Sequence, residues 1–252
     1  MQPSNESFPF EKSKVLFIDE IEAYPWNART GQPVGMIFGY QTDGFIQTQE
    51  AAETSATQAG WTLHPGDLKL RDMNGDGTIN QYDQVPIGSD KPLLYYGITA
   101  GFSFKGFDVS VLLQGVENRM YLLGGDYSFG ADGKSQAYDY IVGRWIPETA
   151  NSATYPRLTA GFNNNNDYST VYGSNANSFW VHSGDYFRIK NVDVGYTLPY
   201  KWTNSFKISA IRFFANGLNL FTHATFDRVD PEVNGQVYPI QRVINFGVNV
   251  KF

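Results

Sequence analysis

The chain of 252 residues contains no cysteine. That excludes a disulfide framework, a thiolate metal site and a cysteine nucleophile. No apolar run comes near the roughly 18 residues that a membrane-spanning helix needs, so a helical membrane protein is excluded. Its 19 lysines and arginines form no block, and the formal net charge is −6. Nucleic-acid binders carry a basic patch, so no nucleic acid is expected as a partner. The three histidines, His64, His182 and His223, have no metal-ligand spacing. There is no G-x-S-x-G element, P-loop or dinucleotide fingerprint. No pair of carboxylates stands out for glycoside hydrolysis. The chain therefore reads as a non-enzyme, with no catalytic residue. Residues 1–7 lack a basic region followed by an apolar core, so no signal peptide is expected here.

Aromatic side chains are abundant: 19 Phe, 16 Tyr and 5 Trp, or 16% of the chain. Tyr and Trp suit a boundary between an apolar and a wet phase. Composition alone leaves two readings open. One is an aromatic-rich soluble β-protein that binds carbohydrate. The other is a transmembrane β-barrel, whose alternating strands keep mean hydropathy low (here −0.34). A secreted glycosidase is a third and weaker reading.

Glycine, proline and asparagine punctuate strand-like runs, and helical periodicity is scarce. The expected strands are about 14–23, 34–47, 93–104, 107–117, 184–198, 208–221 and 240–252. In 93–117, Leu94, Tyr96, Ile98, Ala100, Phe102 and Phe104 share one parity. Lys105 and Gly106 make the turn, and Phe107, Val109, Val111 and Leu113 continue the apolar face. The last residues alternate cleanly: Ile244, Phe246, Val248, Val250 and Phe252 against Asn245, Gly247, Asn249 and Lys251. Successive side chains of a strand point to opposite faces, so each segment has one greasy and one wet face. Strand 208–221 alternates poorly. The links 23–34, 104–107 and 198–208 are short, while 48–92, 118–183 and 222–239 are long. Membrane barrels sort their connections in this way, with short turns inside and long loops outside. The long loops are polar, and Asn163 to Asn166 form an uninterrupted run read as surface loop.

Residues 72–83 read D-x-N-G-D-G-x-I-N-x-x-D. The spacing is that of a twelve-residue calcium loop. Asp72, Asn74 and Asp76 would supply side-chain oxygens, Thr78 its carbonyl, Asn80 a water-mediated contact, and Asp83 the twelfth position. Aspartate there has a shorter arm than the usual glutamate. Ile79 is expected to pin the loop to a core. No helices are expected on either side, so the calcium would be structural, stiffening a long external loop.

Several segments, in order, resemble the SusC/RagA family of TonB-dependent outer-membrane transporters. They are GYQTDGFIQT at 39–48, PGDLKLRDMNGDG at 65–77, VPIG at 85–88, KGFD at 105–108, RWIP at 144–147 and YPRL at 155–158. FRIKNV at 187–192, GYTLP at 195–199, NGLNLF at 216–221, DPE at 230–232 and the terminal Phe252 complete the series. The resemblance covers nearly the whole chain, as the C-terminal part of the barrel. It implies an all-β fold, about seven antiparallel strands of a larger 22-stranded barrel with long extracellular loops. On that reading, 60–92 is an extracellular loop bearing the calcium motif, and 240–252 is the terminal strand. The plug domain and signal peptide are expected to be absent.

The resemblance also implies location in the cell outer membrane and import of oligosaccharides or peptides. A SusD-like surface lipoprotein would act as partner, with energy from the TonB complex. Phe246, Val248, Val250 and Phe252 would be read by the barrel-assembly machinery, and membrane lipid would cover the apolar face. A soluble calcium-stabilised β-domain that binds carbohydrate is the alternative. A seven-strand piece leaves two open edges, which hydrocarbon does not tolerate. Such a piece is not expected to transport by itself.

Overall fold

Lys105 and Gly106 both have positive φ, 50° and 87°. Two successive residues of that kind make the turn whose twist matches a right-handed β-ribbon. Gly106 is well suited here because a side chain would meet the Thr197 carbonyl at 2.6 Å. The turn joins two eleven-residue strands in full register from Leu94 opposite Glu117 to Phe104 opposite Phe107. In the computed structural model this hairpin is the start of a larger sheet. The residues described are 5–7, 13–20, 24–58, 60–123, 139–159, 166, 176–233 and 238–252.

In chain order the strands are β1 (Asn5–Ser7), β2 (Met36–Tyr40), β3 (Thr42–Phe45), β4 (Leu68–Leu70), β5 (Gln84–Ser89) and β6 (Leu94–Phe104). They continue as β7 (Phe107–Glu117), β8 (Met120–Leu122), β9 (Val181–Ser183), β10 (Tyr186–Thr197), β11 (Ala210–Ala224) and β12 (Val243–Lys251). Two short α-helices, α1 (Gln49–Thr54) and α2 (Tyr200–Thr203), accompany them. No helix among the described residues is long and apolar enough to cross a membrane.

Strands β1-β6-β7-β10-β11-β12 form one antiparallel sheet in that order. The remaining strands make two-stranded ribbons, β2–β5, β3–β4 and β8–β9. The chain divides into two compact units. One contains β1 together with 92–119 and 183–252, and hence the large sheet. The other contains 13–91 and 120–182. The all-β barrel-type architecture is thus found, but the strand count differs from expectation. Five of the seven expected strands lie in the large sheet. Segment 34–47 divides into β2 and β3, which enter separate ribbons. Residues 13–20 form no strand, and 21–23 lie outside the described residues. These runs alternate too briefly to specify a long strand, and tertiary pairing divides them.

The sorted connections survive in the large sheet. The β6–β7 and β10–β11 links lie at one end and are short. The β7–β10 and β11–β12 links lie at the other and are long. Strand β11 departs from alternation because its pairing with β10 slips between Ile189 and Asn191, and Asn219 takes φ 53°. The irregularity leaves Lys190 without a register partner in either neighbouring strand. Of Asn163 to Asn166, only Asn166 is described.

Packing in the second unit starts from two small apolar clusters. Tyr40, Leu70 and Ile79 form one, and Ile46, Ala52 and Leu63 the other. Ile79 is buried, as its place in the acidic loop requires. In the same unit, Asp67 is almost fully buried and accepts from Arg157 Nε (2.5 Å), Asn166 Nδ2 (2.8 Å) and the His64 amide (2.8 Å). A buried carboxylate requires such partners, since an unpaired one is costly.

Candidate functional site

Cross-strand register fixes what each face of the large sheet presents. Phe107 lies opposite Tyr196, Tyr196 opposite Phe213, and Phe213 opposite Val248. Val109, Val194, Ala215 and Phe246 make the next row, and Val111, Val192, Gly217 and Ile244 the one after. Paired residues share a face, so these rows form one continuous apolar surface. It is uncovered: Phe246 is 81% exposed and Phe102 65%. The substantial contacts of these strands are with their hydrogen-bonded neighbours, apart from α2 against β11. Contiguous apolar surface on this scale marks a lipid or partner interface rather than a surface meant for water.

The opposite face is polar and cross-linked. Arg212 donates to Asp108 and to Asp193. Its guanidinium passes over Gly195, where any Cβ would sit 2.3 Å from it. Towards the long-loop end, Arg188 donates to Thr222 Oγ1 (2.8 Å) and to Asp230. Lys190 Nζ donates to Glu232 (2.5 Å), and Arg119 Nη1 donates to the Pro231 carbonyl (3.1 Å). Three consecutive residues, Asp230, Pro231 and Glu232, are therefore each held by a cation. This strap was not expected from the sequence. The segments FRIKNV and DPE carry complementary charges, but nothing in either names the other as its partner.

The acidic loop lies in the second unit, between β4 and a short 3₁₀ turn at Gln81–Asp83. Asp72 Oδ1 accepts from the Gly75 amide (2.6 Å) and Oδ2 from the Gly77 amide (2.8 Å). Asn74 Oδ1 accepts from Asp76 N, and Asp76 Oδ1 from Thr78 N. Asn80 Oδ1 accepts from Tyr82 N. Each side chain caps the backbone just ahead of it, which is what Asp and Asn do in turns. Burial pulls the Asp72 carboxyl upward, but amides led by those of Gly77 and Gly75 outweigh it, so its pKa lies below the ordinary aspartate value.

Asp83 differs from the others. It is fully buried, with Oδ1 accepting from Met73 N (2.9 Å) and Oδ2 from Asn80 N (2.8 Å). It closes a capping box around the 3₁₀ turn. Asp83 is therefore a latch that ties the two ends of the loop together. Among the described residues, no group of three or more Asp, Glu or His side chains is placed to hold a metal ion. The donor set is nonetheless all oxygen, the chemistry a hard cation selects. Asp72, Asn74 and Asp76 each use one lone pair per hydrogen bond and keep others.

The terminal segment places Phe246, Val248 and Val250 on the apolar face of the outermost strand. The other side of β12 has no strand beside it among the described residues.

No family model matches the chain. It is similar to TonB-dependent receptor P3 of Formosa agariphila, 27% identical over 94% of the chain and 24% of the receptor. It is 29% identical to TonB-dependent receptor P26 of the same organism, over 88% of the chain and 23% of that receptor. TonB-dependent receptor SusC of Bacteroides thetaiotaomicron is 24% identical over 85% of the chain. The chain spans about a quarter of the length of the curated relatives it matches. Among solved structures, the RagAB peptide transporter shares the fold, with a TM-score of 0.67 at 18% identity over 99% of this chain and 27% of that one. The family resemblance carried by the motif segments is thus borne out in sequence and in fold.

Proposed function

We propose that this chain, which carries part of a SusC/RagA-type barrel, supplies wall strands and external loops to a TonB-dependent importer in the outer membrane. The observation that carries the reading is the two-faced sheet. One face is a continuous field of Phe, Val, Ile and Tyr left uncovered. The other is a polar surface whose charges pair among themselves. In a barrel, the first meets lipid and the second lines the lumen. The links sorted by length agree with this. So do the names of the relatives, which are TonB-dependent receptors.

In this reading the cargo is an oligosaccharide or a peptide, and a SusD-like lipoprotein covers the external loops. The TonB complex supplies energy, and the barrel-assembly machinery reads Phe246, Val248, Val250 and Phe252. Calcium is held by Asp72, Asn74, Asp76, the Thr78 carbonyl and, through water, Asn80, while Asp83 at the twelfth position, its oxygens taken by the Met73 and Asn80 amides, closes the loop around the ion rather than binding it. The ion would draw together carboxylates that otherwise repel, and so stiffen the loop.

The absence of cysteine makes a direct test available. V109C and S110C are single-cysteine variants at neighbouring positions on opposite faces. In bilayers, V109C is expected to react with a membrane-soluble maleimide and S110C with a charged, water-soluble thiol reagent. Equal reaction of both with the water-soluble reagent would sink the barrel reading and favour a soluble carbohydrate-binding domain.

A further inference from the structure

The second unit contains an open cleft of about 550 Å³ unrelated to the acidic loop's oxygen set. Ligand sites run from about 300 to 1,000 Å³, so its size suits a small ligand. Its walls are cross-linked by hydrogen bonds. Val15 and Gly31 join the coil at 13–20 to the turn at 29–32, with Val15 N donating to Gln32 O and Gly31 N to Val15 O. Trp26 Nε1 donates to Tyr82 O (2.8 Å), and Asn27 Nδ2 donates to Gln84 O (2.6 Å). Glu20 accepts from the amides of Arg29 (2.9 Å) and Thr30 (2.7 Å), so both of its oxygens are engaged by backbone.

In the lining the exposed Arg29, drawn electrostatically towards Glu20, lies with its guanidinium 4.7 Å from the centre of the Phe38 ring. Among the described residues no acceptor takes its N–H groups. Asp19, also in the lining, is exposed and makes no hydrogen bond or ion pair among them. A guanidinium laid on an aromatic ring is held in place while its N–H edge stays free. That edge matches a carboxylate, which it can bind through two parallel hydrogen bonds. The lining carries one cation against two carboxylates, Asp19 and Glu20, so it opposes every anion and a doubly charged one such as phosphate most, leaving a single carboxylate on the Arg29 fork as the anion it tolerates best. Tyr82, 39% exposed, adds a flat apolar face. The Gln81 side chain adds amide donors and acceptors.

We propose that this cleft binds a ligand bearing a single carboxylate flanked by hydrogen-bonding groups, with Arg29 as the anchor. The carboxylate comes from an acidic sugar or from a peptide C-terminus. The proposal deepens the importer reading and rests on it for the expectation that external loops meet cargo first.

The test is calorimetric titration of the 252-residue chain in detergent micelles with four probes. They are trigalacturonate, neutral maltotriose, a tripeptide with a free C-terminus, and the same tripeptide amidated. At least one carboxylate probe is expected to bind while its neutral counterpart does not, and the arm that binds names the source. R29Q is expected to weaken that binding about tenfold or more, through loss of a charge-assisted pair. R29K keeps the charge but not the fork, and falls between. Unchanged circular dichroism shows that the variants fold. If neither carboxylate probe binds the folded chain, or if R29Q binds as well as the parent, the proposal is overturned. The thiol-labelling test decides the importer reading separately, so the two failures are distinguishable.

Discussion

Arg188 Nη2 donates to both carboxylate oxygens of Asp230, at 3.0 Å each, across 42 positions of sequence. Arg188 is 2% exposed and Asp230 7%. Asp230 also accepts from the Glu232 amide (2.9 Å) and the Ile240 amide (3.2 Å). One ion pair therefore fastens Asp230 and, through its carboxylate, the Glu232 and Ile240 amides of the β11–β12 link to the polar face of β10.

Breaking that pair leaves a buried charge without its partner. R188M is expected to destabilise the chain by about 3–5 kcal/mol, measured by urea unfolding in detergent. Trypsin should cut after Arg228 faster, because the strap is released. The double variant R188M/D230N should recover part of the loss, since it removes the stranded charge. A double variant no more stable than R188M would refute the pairing account.

The two faces of β12 should respond differently to the same charge. Phe246→Arg puts a cation on the apolar face, where it costs about 2–4 kcal/mol near the middle of a bilayer. Asn245→Arg, one residue earlier, points to the polar face beside Asn216. It is expected to cost far less. Unfolding from liposomes measures both, and equal losses would contradict the assigned faces.

The acidic loop offers a contrast between ligand and latch. D76A is expected to abolish calcium uptake in a calorimetric titration and to loosen 60–92. Without calcium its effect should be small, because Asp76 is exposed and caps one amide. D83A should destabilise the loop with or without calcium, since Asp83 is buried and holds two amides. A parent chain that takes up no calcium when folded would remove the metal from the account and leave the latch intact.

The loop should also respond to acid. Asp72 has its pKa below the ordinary aspartate value, because its amide bonds favour the charged form. The unfolded chain therefore takes up the proton first. Stability from this group is present above the unfolded value and lost as pH falls from there through the folded value. Hydrogen exchange at Gly75 and Gly77 should accelerate below about pH 4. D72N should flatten that dependence.

Much of the large sheet was legible in the sequence. The hairpin around Lys105 and Gly106, the parity of Phe107, Val109 and Val111, and the alternation from Ile244 to Val250 are all found as read. The chain was misread where alternation was short. Segment 34–47 looked like one long strand, yet it breaks at Gln41 because β2 and β3 pair with different partners, β5 and β4. Strand 208–221 looked irregular because it is: a bulge beside Asn219 shifts its register.

The motif segments carried more than family resemblance. PGD at 65–67 meets YPR at 155–157 through Asp67 and Arg157. FRIK at 187–190 meets DPE at 230–232 through two ion pairs. KGFD at 105–108 meets Arg212 through Asp108. Nothing in one segment names its partner in another. The candidate calcium ligands lay within twelve residues and were readable by spacing, whereas Arg29 above Phe38 gave no signal at all.

The sequence by itself determined that there would be a two-faced β-sheet with short links at one end, because side-chain alternation is a period-two property of neighbouring residues. Only the tertiary structure decided which strands join that sheet, which charges meet on its polar side, and that Asp83 points inward as a latch. The first two depend on register and on contacts between residues tens to about a hundred positions apart, which no local pattern encodes; the third depends on how the loop folds back to bring the Met73 and Asn80 amides, ten and three positions away, onto one carboxylate.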